Sequence, residues 1–410
     1  MGFGEFVGLM ATLTALVALS IDMILPALPA IGVSLGVTRA NDNQLVVSLL
    51  FLGFGLGQML YGPLSDATGR KPAAYVGLAL YSVGCLLALR SASLPMLLVG
   101  RVMQGVGVAG PRTITIAMVR DKFEGRAMAR VMSLVMAVFI LVPVVAPALG
   151  QAVLAASGWR AIFGVYLAMA LVALIWFSAR QEETLPAGRR IPFSLRRMVT
   201  ATREVVTTRL AIGYTVASGF VFGAFLGYLT SAQQILQEQY ALGTRFPLYF
   251  AMLAISIGGA SLVNAGLVIR YGMRTLSTWS LRGICVTSVA FTAVASSTAG
   301  HPPLWMFMTY LMASFFGIGL LFGNLNALAM QPLGHIAGTG AAVVGAASML
   351  ISLALGTVIG QSYNGTVFPL VVGFAVLSAC SIICAWWAEL GSDPQTVRAA
   401  GDVETTTEIG

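Results

Sequence analysis

The sequence predicts an all-α membrane protein with twelve transmembrane helices in two six-helix bundles. Of its 410 residues, 58% are hydrophobic and only 9% are charged, against roughly 45–50% and 25% in soluble domains. Apolar runs of about twenty residues, each long enough to cross a bilayer core, recur along the chain. A polar interruption at residues 181–209 divides these runs into two equal groups. A soluble protein of this composition would expose larger apolar patches than a monomer tolerates, so that class is excluded.

Each apolar run is predicted to be a helix, because only helices and closed barrels satisfy every backbone polar group in lipid, and the runs lack the alternation of barrel strands. The first bundle, residues 1–180, contains predicted spans 5–31, 43–63, 73–90, 95–118, 128–154 and 160–180. The second bundle, residues 210–390, contains predicted spans 210–232, 247–269, 275–297, 303–330, 339–361 and 366–388. Residues 181–209 are predicted to form a cytoplasmic linker, and residues 391–410 a disordered cytoplasmic tail.

Lysine and arginine are distributed unevenly between the two sides of the predicted membrane. Sixteen of the 23 lie on the side of the linker, four lie on the other side and three fall within spans. The positive-inside rule therefore puts both termini in the cytoplasm. The same distribution accounts for the net charge of +8 without a nucleic-acid partner. Residues 1–29 lack a basic amino-terminal region, so we expect a retained first span rather than a signal peptide.

Asp22 is the one acidic residue of fifteen placed deep within a predicted span. A carboxylate in hydrocarbon is costly unless it is protonated, paired or hydrated, which makes Asp22 a candidate proton-binding site. Arg101 is its expected partner, since helix geometry puts both residues in the outer half of the membrane. Gln104 lies on the same helix face as Arg101 and could share its polar network. The alternative is a structural ion pair in which Arg101 only neutralises Asp22.

Arg112 follows Arg101 by close to three helical turns, so the two side chains should project from nearly the same face, about 16 Å apart. Arg112 is expected at the inner mouth of a central cavity. There it either attracts an anionic or electron-rich substrate or extends to the cytoplasmic interface. The residues predicted to line the substrate cavity are Met23, Gln104, Arg112, Pro147 and Asn324. For Asn324 the alternative to substrate binding is a hydrogen bond that packs two helices together.

The loop after the second span combines two glycines, an acid and two bases. Gly62 and Gly69 are expected to permit close helix approach and a tight turn. Asp66 and Arg70, followed by Lys71, can form charge-assisted bonds to neighbouring helix ends. Contacts that exist in only one of two states would make the loop a gate. The alternative is a positively charged turn without a gating role.

A degenerate repeat of this loop follows the eighth span, at residues 266–274. The first glycines of the two copies are 204 residues apart, almost half the chain. This repeat supports two related six-helix halves with substrate held between them, as in transporters.

Several segments carry a resemblance to a known family. Gly62–Lys71 resembles the cytoplasmic loop signature of the major facilitator superfamily, Leu98–Gly107 resembles its fourth-helix signature, and Ser20–Ile31 is similar to the first helix of its twelve-span drug:proton antiporters. Trp159–Phe163 and Pro332–Thr339 are similar to the bicyclomycin/chloramphenicol resistance (Bcr/CflA-like) branch. The resemblance implies the major facilitator fold. It also implies a gating role for the loop at Gly62–Lys71 and a role for Arg101 in proton coupling.

The fifth span resembles the antiporter signature of exporters but departs from it. Val142, Ala146 and Gln151 stand where glycines are usual in that signature. These departures weaken the implication of export, as opposed to uptake, more than they weaken the fold.

The sequence therefore predicts a proton-coupled efflux transporter, a drug:proton antiporter that exports small, largely apolar compounds by alternating access. Its expected partners are a small-molecule substrate, protons and the lipid bilayer. We expect it to act as a monomer in a bacterial cytoplasmic membrane. An uptake symporter on the same fold is the first alternative. A non-transporting sensor or intramembrane enzyme is the second, but no soluble output domain or nucleophile–base pair is evident. With two histidines in the chain, we expect no metal site, no cofactor and no enzymatic activity.

Overall fold

The computed structural model describes residues 1–390 of the chain, so the predicted disordered tail lies outside the described residues. Helices make up the regular structure of that range, and it contains no strand. The α-helices are α1 (Phe3–Asp22), α2 (Leu28–Ser34), α3 (Leu45–Thr68), α4 (Arg70–Leu89), α5 (Leu94–Lys122), α6 (Gly125–Ser157), α7 (Trp159–Arg180), α8 (Leu195–Thr207), α9 (Arg209–Gln233), α10 (Phe246–Tyr271), α11 (Met273–Ser297), α12 (Leu304–Met330), α13 (Ala337–Gln361) and α14 (Phe368–Glu389).

These helices have the lengths and polarity of membrane spans. Within residues 1–390, ten continuous helical segments are long and apolar enough to cross a membrane, and one of them, Leu304–Gln361, contains both α12 and α13. The other long helix, α5, has 29 residues and is more polar because it carries Arg101 and Arg112. The predicted all-α membrane fold is confirmed. Its arrangement agrees with twelve spans, with α1 and α2 together forming the first and α8 lying in the linker.

The first span, predicted as one run over 5–31, is broken after Asp22. Helix α1 ends at Asp22, a 3-10 turn covers Leu25–Ala27, and α2 begins at Leu28. Pro26 explains the break, because it has no N–H to donate to the carbonyl of Asp22 four residues earlier. Pro29 likewise stands at the second position of α2, where its missing N–H is tolerated. The break places Asp22 at a helix end with unsatisfied carbonyls.

Helix α5 is held tightly between α3 and α4 by glycines. A methyl group on Gly53 of α3 would overlap the carbonyl oxygen of Val102, and one on Gly105 of α5 would overlap the carbonyl oxygen of Leu50. On the other side, a methyl group on Gly107 would overlap the α4 backbone. Small residues of this kind let membrane helices approach closely enough for their backbones to touch. The two arginines of α5 are therefore fixed within the first six-helix group.

The two halves, α1–α7 and α9–α14, meet along two pairs of helices. Helix α3 packs on α13, and helix α6 packs on α10. Gly55 of α3 faces Met349 of α13, whose Cγ would lie 3.2 Å from an added methyl group. Gly258 of α10 faces Ile140 of α6 at a corresponding distance of 2.6 Å. These four helices therefore form the interface across which the halves would move.

One end of the bundle carries the loop at 66–71, the ends of α5 and α10 and the linker, and we call it the basic end. Helix α8 lies there and packs against α9 and α13 with one buried face, on which Ala201 and Val205 are 2% and 1% exposed. His335 lies between α12 and α13, and its Nε2 is 2.5 Å from Glu204 Oε1 of α8. Helix α8 of the linker is therefore docked on the second half.

At the opposite end, amide side chains join the two halves. Asn41 Nδ2 donates to the carbonyl oxygens of Gln361 (3.0 Å) and Tyr363 (2.9 Å), and Asn41 Oδ1 accepts from Gln234 Nε2 (2.9 Å). Gln44 donates a further hydrogen bond to Gln234. We call Asn41, Gln44, Gln234, Gln361 and Tyr363 the amide lock. It closes the opposite end of the bundle in this conformation.

Candidate transport site

Asp22 lies at the broken end of the first span and is buried, with 5% of its surface exposed. Its carboxyl group forms no ion pair within residues 1–390. Tyr228 of α9, in the other half, is also buried, and its hydroxyl has no hydrogen-bond partner among the described residues. The 3-10 turn after Asp22 also packs against α9. The buried acid is thus held between the two halves.

The expected ion pair between Asp22 and Arg101 is absent, and this prediction was wrong. The Arg101 guanidinium is fully buried and donates instead to the carbonyl oxygens of Ser20 (2.8 Å) and Val46 (2.7 Å). Ser20 belongs to the last turn of α1, whose carbonyls lack partners within the helix. A cation at a helix carboxyl terminus also interacts favourably with the helix dipole. Arg101 therefore caps the broken helix that carries Asp22 rather than pairing with the acid.

Two further side chains complete this cap. Tyr166 donates its hydroxyl hydrogen to the Leu19 carbonyl oxygen (3.0 Å). Gln104, one turn below Arg101 as predicted, accepts from Arg101 at 2.8 Å and lies 3.4 Å from the Cys85 sulfur. Tyr166 was not singled out from the sequence, because a lone hydroxyl within an apolar run gives no periodic signal.

Met23, which follows α1, and Pro147 of α6 are two predicted cavity residues, and both are buried. The carbonyl oxygen of Met23 packs directly on Gly150, where an added methyl group would overlap it. Met23 is 1% exposed, and Pro147 lies one turn before Gly150 on α6. This contact holds the broken helix end against the fifth span.

Arg112 is separated from Arg101 and lies against different neighbours. Its guanidinium carbon lies 5.3 Å from the ring centroid of Phe54 on α3 and 5.3 Å from that of Phe139 on α6. The side chain is half-buried and forms no ion pair within the described part of the chain. Both phenylalanines were missed by sequence reasoning, since apolar residues are the rule in these spans.

Asn324 of α12 is buried and pairs with Asn264 of α10. Asn324 Nδ2 donates to Asn264 Oδ1 at 2.9 Å, and Asn264 Nδ2 donates back at 3.3 Å. Within residues 1–390 Asn324 forms no hydrogen bond to Asp22 or Arg112. A reciprocal amide pair of this kind joins neighbouring helices.

The loop at the basic end forms a charge network around Arg70. Its Nε donates to Asp121 Oδ2 at the end of α5 (2.9 Å), and its Nη1 donates to Asp66 Oδ1 (2.5 Å). Gly62 does not make the close helix approach expected of it, because an added methyl group would meet only Ala342 of α13 at an ordinary 3.9 Å. This part of α3 is loosely packed against the other half.

The start of the linker is bound to this loop through Glu183, which sequence reasoning missed. Glu183 Oε1 accepts from the Arg70 backbone N–H (2.9 Å) and Oε2 accepts from that of Lys71 (3.0 Å), so the carboxylate caps the amino terminus of α4. Gly69 is required beside it, since its φ of 104° is left-handed and a methyl group would lie 2.6 Å from Glu183 Oε2. We call this contact the linker clamp.

The linker clamp also fixes the charge state of Glu183. Partial burial raises the pKa of its carboxyl group, but hydrogen bonds from the backbone N–H groups of Leu185, Lys71, Arg70 and Thr184 outweigh this effect. The pKa therefore lies below the ordinary value, and the carboxylate is ionised at neutral pH.

A bundle of twelve crossings in two halves, with a buried carboxyl group at a broken helix between them, is the arrangement of a secondary transporter. The family model described as Major Facilitator Superfamily matches residues 10–357, and the chain belongs to this family. The resemblance drawn from the loop and helix motifs is thereby confirmed.

Bacterial proteins of the family match most of the chain. It is 29% identical over 356 residues to the uncharacterized MFS-type transporter YdgK of Bacillus subtilis (strain 168), covering 86% of this chain and 87% of that protein. It is 26% identical to the multidrug resistance protein MdtL of Salmonella heidelberg (strain SL476), covering 87% and 89%. It is 25% identical to the bicyclomycin resistance protein homolog of Haemophilus influenzae, covering 92% and 94%.

Solved structures match the fold at low sequence identity. The peptide transporter POT in complex with sulfate superposes with a TM-score of 0.75 at 13% identity, covering 95% of each chain. The xylose transporter XylE from E. coli, in a partially occluded inward-open conformation, superposes with a TM-score of 0.70 at 13% identity, covering 95% and 98%. At such identities the likeness concerns the fold alone.

Proposed function

We propose that this transporter is a drug:proton antiporter that exports small, largely apolar compounds across a bacterial cytoplasmic membrane, as a monomer with both termini in the cytoplasm. Relatives named for multidrug and bicyclomycin resistance support export of toxic compounds. The concentration of arginine and lysine at the basic end supports the orientation.

The observation that carries proton coupling is the position of Asp22. It is buried, has no ion pair within residues 1–390, and lies at a helix break between the two halves. A carboxyl group in such surroundings favours its neutral form, so proton binding and release accompany changes in its exposure. Arg101 acts through the α1 terminus: it holds the broken helix end and favours loss of the proton when the site is hydrated.

Exchange follows from competition between proton and substrate. In the conformation described, the amide lock closes the opposite end, and Asp22 and Met23 are buried. Rocking across the α3–α13 and α6–α10 interfaces would expose the site to each side in turn. One proton entering down a potential of 100 mV contributes about 2.3 kcal/mol, enough for roughly fifty-fold accumulation of a neutral compound outside.

The test is uptake of a labelled neutral compound into proteoliposomes with an acidic lumen. Transporters whose compound-releasing side faces the lumen exchange luminal protons for external compound. A gradient of one pH unit supports up to about tenfold accumulation of the compound per proton. Asp22→Asn should abolish this accumulation. Asp42→Asn is the matched control, since it makes the same chemical change in the loop before α3.

Bicyclomycin is the first compound to test, in a growth-inhibition panel run beside the vesicle assay. Gradient-driven accumulation that survives Asp22→Asn would remove Asp22 from the coupling mechanism. The altered fifth-span signature favours a second candidate, an uptake symporter. That candidate is supported instead if the compound moves in the same direction as the proton.

A further inference from the structure

Arg112 is a cation within the membrane-spanning region whose guanidinium has no ionic partner in the described part of the chain. Its neighbour on the same helix, Arg101, is fully buried and donates three hydrogen bonds. Arg112 is half-buried, and within residues 1–390 it forms neither a side-chain hydrogen bond nor an ion pair. A charge in the membrane without a partner is expensive and is a functional candidate by default.

The guanidinium of Arg112 lies over the rings of two aromatic neighbours, and its N–H groups have no acceptor within residues 1–390. Phe54 and Phe139 lie at the same distance from the guanidinium, 5.3 Å to each ring centroid. Aromatic rings attract a cation but accept none of the five N–H groups in the usual way. A planar guanidinium with unused edge donors is matched to the two oxygens of a carboxylate or a similar acid group. We call Arg112, Phe54 and Phe139 the arginine cage.

Extension of Arg112 to the membrane surface does not explain this geometry. Arg112 lies ten residues, about 15 Å, from the end of α5 at the basic end. Phe54 and Phe139 each lie fourteen residues, about 21 Å, from the basic ends of α3 and α6. The guanidinium therefore extends toward rings that lie deeper in the membrane, away from the nearer surface.

The arginine cage also borders the interface between the two halves. The residue after Phe54 is Gly55, which packs on Met349 of α13, and the residue after Phe139 is Ile140, which packs on Gly258 of α10. A movement of one half against the other therefore changes the surroundings of both rings. This is where a transported molecule is held in transporters with two repeated halves.

We propose that the arginine cage binds the acid group of an aromatic organic anion, so that the substrates of this transporter include amphiphilic carboxylates. The proposal rests on the proposed transport function and names a substrate class for it. The guanidinium binds the carboxylate through two parallel N–H···O bonds, and Phe54 and Phe139 pack against the aromatic part. Arg101, which holds the helix end that carries Asp22, precedes Arg112 by about three turns of α5, so Asp22 stays free to exchange its proton.

Equilibrium binding of two probes of the same shape tests the proposal. The full-length protein in nanodiscs is titrated at pH 8 with 2-naphthoate and with its neutral amide, 2-naphthamide. Wild-type protein should bind the anion at least about tenfold more tightly, which corresponds to about 1.4 kcal/mol. Equal affinities, or preference for the amide, would overturn the proposal without recourse to any variant.

Variants then assign the preference to Arg112. Arg112→Met should lower the affinity for naphthoate at least about tenfold, and Arg112→Lys should recover part of the loss by restoring charge without the planar fork. Arg282→Met is the matched control, because Arg282 is an exposed arginine within α11. If Arg112→Met retains the full anion preference in folded, monodisperse protein, the cage is not the site. A loss of the preference in Arg282→Met as well would also contradict the assignment.

The two proposals fail separately. Anion preference is measured without any gradient, whereas proton coupling is measured by accumulation of a neutral compound. Wild-type protein that accumulates the neutral compound but shows no anion preference contradicts only the arginine cage. Protein that prefers naphthoate but accumulates nothing in response to a pH gradient contradicts only the antiport mechanism.

Discussion

Removal of the Asn41 side chain should open the end of the bundle that the amide lock closes. Asn41→Ala removes two donated hydrogen bonds, to the carbonyl oxygens of Gln361 and Tyr363, and one accepted from Gln234. All three cross between the halves, so they exist only while the opposite end is closed. Their loss should therefore shift the conformational equilibrium toward the open form.

The size of the shift follows from the number of bonds. A neutral hydrogen bond contributes about 0.5–1.5 kcal/mol net, and the lower half of that range applies because Asn41 is partly exposed. Three bonds then amount to about 1.5–3 kcal/mol. Since 1.4 kcal/mol is tenfold, the open population should rise by about ten- to a hundredfold.

The assay is the rate at which a membrane-impermeant thiol reagent modifies a cysteine placed at Ser48. Ser48 is 1% exposed, and its hydroxyl lies 3.3 Å from Thr357 of the other half. In a background without the four native cysteines, labelling at this position reports opening. The Asn41→Ala change should raise the rate at least about tenfold. Asn364→Ala is the matched control, because the Asn364 side chain bonds only to Thr366 of its own loop within residues 1–390.

An unchanged or slower labelling rate in Asn41→Ala would refute this reasoning. It would mean that apolar packing of α3 on α13, rather than the amide lock, keeps the opposite end closed. An equal increase in Asn364→Ala would point to a general loosening of the loops.

Two further substitutions test contacts that support the site. Gly150→Ala should abolish transport and lower the Tm, because its methyl group would overlap the Met23 carbonyl oxygen, whereas Gly164→Ala, with open space around it, should do neither. Glu183→Gln should destabilise the protein by roughly 1 kcal/mol at neutral pH through loss of the α4 cap, and Glu182→Gln, an exposed neighbour, should not. Because the pKa of Glu183 is lowered in the folded protein, its contribution to stability is present above the ordinary carboxyl pKa and is lost as the pH falls through the folded value. Thermal unfolding of both variants and the wild type at pH 7.5 and pH 4 measures this loss. A stability difference between Glu183→Gln and wild type that does not shrink in acid would contradict the argument.

Helix positions were predictable from hydropathy because the bilayer imposes one length scale on every span. The fifth span shows both the success and the error: predicted over 128–154, it forms α6 over Gly125–Ser157. Helices continue past the apolar run since their backbone hydrogen bonds remain favourable outside the lipid. The break after Asp22 was not predicted, although Pro26 carried the signal. An apolar run hides an interruption, because hydropathy does not register a missing N–H.

Neighbours along one helix were predictable from the sequence, but the hydrogen-bond partners on other helices were not. Counting residues along a helix placed Asp22 and Arg101 at similar levels and correctly put Gln104 beside Arg101. It could not determine toward which neighbour Arg101 points, and the α1 carbonyls that it caps became available only through the break at Asp22. The amide lock and the linker clamp join residues more than a hundred positions apart. No periodic pattern in one chain indicates such contacts.

The central claim is that Asp22 holds a proton that substrate displaces. The most direct measurement is proton release from purified, lightly buffered protein when a neutral transported compound is added. Linkage requires that substrate lower the affinity for the proton by the same factor by which the proton lowers affinity for substrate. Wild-type protein should release up to about one proton per bound molecule. Asp22→Asn, which resembles the protonated acid, should bind the compound more weakly and release no proton even at a compound concentration that saturates it. Equal proton release from both proteins, or none from the wild type at any pH at which substrate binds, would contradict the account.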